Sequence, residues 1–265
     1  MDIIAYQKSY REYKAELDNE LQKTAEGFVR IGYLLKVARD TNVLAESGYK
    51  TVAEFAQAEY SLDKTQVSRF ISINDKFAEN GYSDRLQAKY QGFGYAKLTL
   101  MLQLPDAVKE ALTPSYSKAE IQSIKEEVDE EKKVSDIEVC LEASQSPEEG
   151  GTLIERIARQ LLHDEPGMFT ELHREALGCS VNMQHFQRII APAGEKTYSV
   201  RLAGVGRILL ILNDASTNRA VNSRTGEFEE VTWQQLRDAV EKLTGLKECT
   251  GKTSEERWSE LFGEP

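Results

Sequence analysis

The sequence contains few of the residues that build disulfide frameworks, metal centres or membrane spans. Only three of its 265 residues are cysteine (Cys140, Cys179 and Cys249), and no two of them have C-x-x-C spacing. This argues against a disulfide framework, a zinc ribbon and a thioredoxin-type site, and the three histidines are too few for a histidine-based metal centre. No apolar run has the length of a transmembrane helix, and residues 1–14 lack the apolar core of a signal peptide. We therefore expect a cytoplasmic protein without a metal, a cofactor or a membrane partner.

Common catalytic motifs are also missing. The sequence has no G-x-S-x-G, no H-E-x-x-H and no P-loop. The segment Gly204-Val205-Gly206 lacks the further glycine and the strand-to-helix context of a phosphate loop, so it predicts a tight β-turn or a bulge. We do not expect an enzyme.

Acidic side chains outnumber basic ones by 44 to 33, a net charge of −11, which is unusual for a nucleic-acid binder. The excess is concentrated: residues 129–150 carry eight acidic and two basic side chains, a net of −6. This segment begins like the charged end of a helix and finishes in Ser, Pro and Gly, and therefore predicts an acidic linker between two nearly neutral domains.

The two flanking segments differ in their patterns. Apolar residues recur at helical spacing before the acidic segment, whereas Tyr198, Val200 and Leu202 alternate with polar residues after it, and Ile208–Leu212 is continuously apolar. The predicted fold is multi-domain, with an all-α N-terminal helix–turn–helix domain and a small α+β C-terminal domain that contains an antiparallel sheet. The predicted segments are a helical domain (1–128, helix–turn–helix at about 50–76), the acidic linker (129–150), the α+β domain (151–247) and a tail with a short docking helix (248–265).

The segment from Tyr49 to Asn74 has the most functional content. Thr51 and Asp63 each precede a helical pattern as N-caps, with Glu54 and Gln66 three residues on, which predicts two capped helices. The four residues between these helices allow only a sharp helix–turn–helix crossing.

Outward residues of the second helix suit DNA recognition. Arg pairs with guanine and Gln with adenine, and Ser, Thr and Lys bind phosphates. The predicted base-reading and phosphate-binding positions are Lys64, Thr65, Gln66, Ser68 and Arg69, with supporting phosphate contacts from Lys50, Thr51 and Lys76. A helical hairpin with a merely solvated polar face is the alternative.

The run from Phe28-Val29-Arg30-Ile31-Gly32 to Leu62-Asp63-Lys64-Thr65-Gln66-Val67-Ser68-Arg69 resembles helix–turn–helix proteins of bacterial phages, plasmids and integrative conjugative elements. The helices expected at 97–105 and 117–121 are similar to those that follow the helix–turn–helix in ParB/KorB-type partition proteins. The resemblance covers about residues 25–130, and no counterpart of the ParB nucleotide box is present. It implies regulation of a mobile element's genes, or a role in its maintenance or replication.

The predicted partner is double-stranded DNA, bound as a homodimer because one helix–turn–helix buries little surface on DNA. Leu17, Leu21 and Phe28 on the first helix are candidates for dimer contacts or for core packing.

The C-terminal domain offers a second basic feature. Arg201 should lie on the sheet face opposite Val200 and Leu202, where it could bind nucleic acid or a protein, or simply keep the face soluble. The residues of this candidate basic surface are Arg188, Arg201, Arg207, Arg219 and Arg224. The alternative function is a mobile-element inhibitor of a host defence nuclease, of the anti-CRISPR type, with an accessory helix–turn–helix and a protein partner bound through residues 151–247.

Overall fold

The computed structural model describes residues 27–41, 44, 48–145, 151–175, 182–213, 218–244 and 252–263. The protein is mostly helical, with one small four-stranded antiparallel sheet near the C-terminus. Its contacts divide the chain into two compact units, the first from residues 1–103 and 113–121 and the second from 104–112 and 122–265. Within the described part of the chain, no helix combines the length and the apolar composition needed to cross a bilayer.

The first unit is helical. Its main helices are α1 (residues 27–40), α2 (Val52–Tyr60), α3 (Lys64–Phe77) and α4 (Tyr95–Met101). Ala56 of α2 and Val67 and Ile71 of α3 pack with Leu35 of α1 in one apolar cluster, so α1 and the α2–α3 pair share a core. Tyr60, the last residue of α2, is 62% exposed.

The capping pattern predicted from the sequence is confirmed. The Thr51 hydroxyl accepts a hydrogen bond from the Glu54 amide at 3.1 Å. Asp63 and Gln66 form a complete capping box: the Asp63 carboxylate accepts from the Gln66 amide at 2.8 Å, and the Gln66 side chain accepts from the Asp63 amide at 2.9 Å. These bonds satisfy donors that the first turn of each helix leaves unpaired, which fixes where α2 and α3 begin.

The turn between α2 and α3 begins with an αL C-cap at Ser61. Ser61 has φ 57° and ψ 26°, the left-handed conformation that glycine adopts most easily. The Ser61 amide donates to the Gln57 carbonyl at 3.2 Å, the bond that defines this cap, and the Leu62 amide donates to the Ala56 carbonyl at 3.1 Å. The Leu62 side chain then packs against the cluster containing Ala56. A serine therefore holds a position that a glycine would hold with less strain.

We expect Ser61→Gly to raise the free energy of unfolding by about 0.5–1 kcal/mol, because it removes the steric cost of a Cβ at positive φ. Urea denaturation followed by circular dichroism measures the change. Ser61→Ala is the control, since it removes the hydroxyl but keeps the Cβ. Equal stabilisation by both variants would contradict the proposed cause.

The second unit is built on an antiparallel sheet of strand order β1-β2-β3-β4. Its strands are β1 (Lys196–Leu202), β2 (Gly206–Leu212), β3 (Asn218–Asn222) and β4 (Phe228–Val231). A hairpin turn joins β3 to β4 after Asn222, with Gly226 at φ 76°. The segment around Gly204 is likewise a turn, because Leu202 pairs with Gly206 across it.

Helices cover both faces of this sheet. Tyr198, Val200 and Leu202 of β1 share one apolar core with residues of five helices. These helices are α8 (Leu153–Asp164), α9 (Pro166–Glu175), α10 (Met183–Ile190), α11 (Trp233–Thr244) and α12 (Ser254–Phe262). On the opposite face, Leu209 and Ile211 are also fully buried. The continuous apolar run of β2 thus reflects a strand covered on both sides.

The acidic segment differs from its prediction as a linker. Residues 118–131 form α6 (Lys118–Glu131), and residues 136–145 form α7 (Asp136–Gln145), whereas residues 146–150 lie outside the described part. From Gln122 onward these helices belong to the sheet-containing unit, as does α5 (Asp106–Ala111). The division therefore differs from the predicted boundary at residue 128. The reason is long-range pairing between acidic helix residues and sheet arginines, described below.

Candidate nucleic-acid interface

Helix α3 presents one polar side to solvent. Val67, Ile71 and Phe77 are buried, and this fixes the rotation of the helix about its axis. At about 100° per residue, all fully exposed positions of α3 fall, together with the half-exposed Arg69 and Ser72, within an arc of about 140°. The positions on this arc are Lys64, Thr65, Ser68, Arg69, Ser72, Asp75 and Lys76. The hydrophobic pattern of α3 therefore leaves four of the five predicted DNA-reading residues on a common open side.

The opposite side of α3 is held against α1 at close range. A Cβ on Gly32 of α1 would lie 2.4 Å from the Phe70 carbonyl oxygen, so only glycine allows this approach. The buried Asn74 side chain donates to the Val29 carbonyl at 3.0 Å and to the Ser83 carbonyl at 2.7 Å. Lys36, also buried, pairs with Asp75 at 2.5 Å. The Phe70 and Asn74 contacts hold α3 from the side opposite the polar arc, and the ion pair with Lys36 reaches one end of the arc at Asp75.

A shallow depression of about 390 Å³ lies on the open side of α3. Lys64, Thr65, Ser68 and Arg69 line it together with Leu102, which follows the last residue of α4. Lys64, Thr65 and Ser68 are exposed, and Arg69 is half-buried. The described residues that line this depression thus provide hydrogen-bond donors, two positive charges and a single apolar side chain. Leu102 was not predicted as part of the site, because its neighbours in the sequence do not distinguish it from a buried leucine such as Leu98.

The prediction for Gln66 needs correction. Its side-chain oxygen accepts from the Asp63 amide in the capping box, and by helical geometry it lies outside the exposed arc. A bidentate contact to adenine needs both the oxygen and the nitrogen of the glutamine amide. Gln66 thus stabilises the N-terminal end of α3. Its replacement would lower the stability of this helix before it changed any contact with DNA.

The three predicted supporting residues are all exposed. Lys50 and Thr51 lie at the start of α2, and Lys76 lies in the last turn of α3. The Thr51 hydroxyl oxygen already accepts a hydrogen bond from the Glu54 amide. A contact from Thr51 to a DNA phosphate would therefore use the hydroxyl hydrogen or the backbone N–H of Thr51.

The candidate basic surface of the second unit also needs correction. Its five arginines do not form one exposed face: Arg188 lies on α10, and the other four have half-buried side chains paired with acidic residues of the same unit. Arg219, for example, lies 3.5 Å from Glu110 and stacks 4.5 Å from the ring centre of Phe228. The sequence could not reveal these ion pairs, because the acidic partners lie 59 to 109 residues from their arginines. Some of the partners also lie in the segment that was predicted to be a linker.

The centre of this pairing is Glu131, whose side chain is 0% exposed. Its carboxylate lies 2.5 Å from Arg201, 3.8 Å from Arg207 and 3.9 Å from Arg224. Arg201 also binds Glu142 at 2.8 Å, and this hydrogen bond raises the pKa of the guanidinium above its ordinary value. Glu127 pairs with Arg207, and Asp136 with Arg224. The acidic helices α6 and α7 therefore neutralise the arginine face of the sheet.

The remaining site predictions have mixed outcomes. Phe28, a candidate dimer contact, is buried and packs edge-on against Tyr95 at 5.7 Å, which assigns it to the core. Leu17 and Leu21 lie outside the described residues. Among the side chains that the structure describes, no group of three or more His, Cys, Asp or Glu is placed to hold a metal ion.

Comparison with known proteins adds no relative. No protein-family model matches the chain, and no curated protein or solved structure is significantly similar to it.

Proposed function

We propose that this protein binds double-stranded DNA in a sequence-specific manner, with α2 and α3 acting as a helix–turn–helix whose second helix enters the major groove. The observation that carries the proposal is the open polar arc of α3, which presents Lys64, Thr65, Ser68 and Arg69 around one depression. Its chemistry suits phosphates and base edges together. The resemblance to mobile-element proteins extends the proposal to regulation, maintenance or replication of such an element.

Charge distribution supports this assignment despite the acidic total. Two of the depression's four polar side chains, Lys64 and Arg69, are cationic, and Lys76 lies on the same arc of α3. Much of the acidic excess lies in residues 129–150, where Glu131, Asp136 and Glu142 pair with arginines of their own unit. A local positive field on α3 is then enough to attract DNA, because exposed charges farther than about 10 Å are screened at physiological salt. A homodimer on a two-fold site would supply the buried area that one motif lacks.

We expect Arg69→Ala to cost about 1–3 kcal/mol of binding to the preferred DNA site and to relax the preference at one base pair. Lys64→Ala, in contrast, should weaken binding to all sequences alike and lower the slope of log K against log salt by about 1, the signature of a lost phosphate contact. Fluorescence anisotropy at several salt concentrations, on specific and scrambled duplexes, separates the two results.

Arg30→Ala is a matched control for these variants. Arg30 is an exposed arginine of α1, the helix that packs against the side of α3 opposite the polar arc. Its loss should leave specific binding within experimental error. Equal losses for Arg30→Ala and Arg69→Ala would remove α3 from the role proposed for it.

Genomic selection of DNA fragments with the purified full-length protein tests the proposal as a whole. Recovery of one enriched motif supports sequence-specific binding, and a two-fold symmetric motif supports a dimer. Recovery of no enriched motif would overturn the proposal.

The alternative of a nuclease inhibitor relied on the acidic segment as a competitor for phosphate. Glu131 and Glu142 bind Arg201, and Asp136 binds Arg224. Asp129 pairs with Lys125, so at least four of the eight acidic side chains of this segment have basic partners within the chain. This weighs against the inhibitor function, and no described contact favours it over DNA binding.

A further inference from the structure

Among the described residues that line the depression on α3, Leu102 is the one apolar side chain. The other four lining residues, Lys64, Thr65, Ser68 and Arg69, are polar or charged. Leu102 is half-exposed, whereas Leu98 and Met101 of the same helix are fully buried. Those two residues anchor α4 in the core of the first unit, so Leu102 is held in place without being needed to fill that core.

The major groove of DNA offers a matching group. Its floor carries hydrogen-bond donors and acceptors on every base pair, and the C5-methyl of thymine is its one apolar substituent. A polar surface that reads base edges gains from an apolar contact only where such a methyl lies opposite it. An apolar side chain fixed among base-reading residues is therefore a selector for thymine.

We infer that Leu102, at the end of α4, reads a thymine methyl group in the DNA site. This inference rests on the proposed function and adds to it a specificity-determining residue outside the recognition helix. Because Leu102 and Arg69 line the same depression, the thymine lies within roughly one or two base pairs of the pair that Arg69 contacts, at 3.4 Å of axial rise per pair.

The test removes the methyl from the DNA rather than from the protein. Each thymine of the selected site is replaced in turn by deoxyuridine, which differs from thymidine only by that methyl group. We expect one position near the Arg69-dependent base pair to lose about fourfold in affinity, the value for desolvating one methyl group. The folded state of the protein is the same in every measurement.

Leu102→Ala completes a double-mutant cycle. The variant should bind the thymine duplex about fourfold or more weakly, and the deoxyuridine substitution should then have no further effect at that position. Leu102→Met keeps an apolar side chain of similar size and should retain the sensitivity to the methyl group. Leu100→Ala, on the same helix but not in the depression, should leave that sensitivity unchanged, and circular dichroism checks that each variant is folded.

The outcomes separate the inference from the function on which it rests. If selection recovers a motif but no deoxyuridine substitution matters, or if the loss persists in Leu102→Ala, the assignment of Leu102 is overturned while DNA binding stands. If selection recovers no motif, the proposed function is overturned and the assignment with it. A loss at one thymine that disappears in Leu102→Ala supports both.

Discussion

Replacing Glu131 by glutamine is expected to lower the free energy of unfolding by about 3–5 kcal/mol, because it removes one partner of a buried ion pair and leaves charges uncompensated. Arg201 and Arg207 are directly opposite each other on β1 and β2, a placement that like charges disfavour. Glu131 lies 2.5 Å from one and 3.8 Å from the other, so its negative charge offsets their repulsion. Urea denaturation at neutral pH measures the effect.

Glu130→Gln is the control for this experiment. Glu130 is the neighbouring residue on α6, is exposed and carries the same charge, so its replacement should change stability by less than about 0.5 kcal/mol. A similar loss in both variants would show that net charge, rather than the buried pairing, sets the stability of the second unit.

The acidic segment shows why part of the fold could not be predicted from the sequence. A run rich in Asp and Glu that ends in Ser, Pro and Gly has the composition of a solvated linker. What makes α7 a structural helix is the pairing of Glu142 with Arg201, 59 residues away in sequence, and of Asp136 with Arg224. Local patterns contain no information about such partners.

Helix starts were predictable because their chemistry is local. Thr51 and Asp63 each make the capping bond within three residues, so the sequence window that predicts the helix also contains the group that stabilises it. Local sequence alone could not decide every role in the site. Gln66 could cap α3 or contact a base, and the sequence did not show that the cap takes its side-chain oxygen.

The depression on α3 contains residues that the sequence could predict and one that it could not. Lys64, Thr65, Ser68 and Arg69 could be found from helical periodicity, because they share one arc of one helix. Leu102 could not, because it reaches the depression from α4, 33 residues beyond Arg69 in the sequence. A surface built by two helices is visible only when the packing between them is known.

We expect Gly32→Ala to lower the free energy of unfolding by about 3 kcal/mol, at the upper end of the cost of overpacking. A Cβ at this position would lie 2.4 Å from the Phe70 carbonyl oxygen and 3.1 Å from the Asn74 Cβ, and the first of these is backbone that cannot rotate away. Helix α1 would have to move off α3 and weaken the hydrogen bond from Asn74 to the Val29 carbonyl. Thermal unfolding and DNA affinity, measured on the same preparation, are expected to fall together.

Gly27→Ala separates this steric effect from helix propensity. Gly27 lies on the same helix, and no atom of the described residues comes within 4 Å of its would-be Cβ, so alanine there should stabilise the protein by up to about 1 kcal/mol. Both variants gain the same helix propensity, and only Gly32→Ala introduces a clash. Opposite signs for the two changes would establish that close approach of α1 holds α3 in place, whereas stabilisation by both would mean that α3 does not depend on that contact for its position.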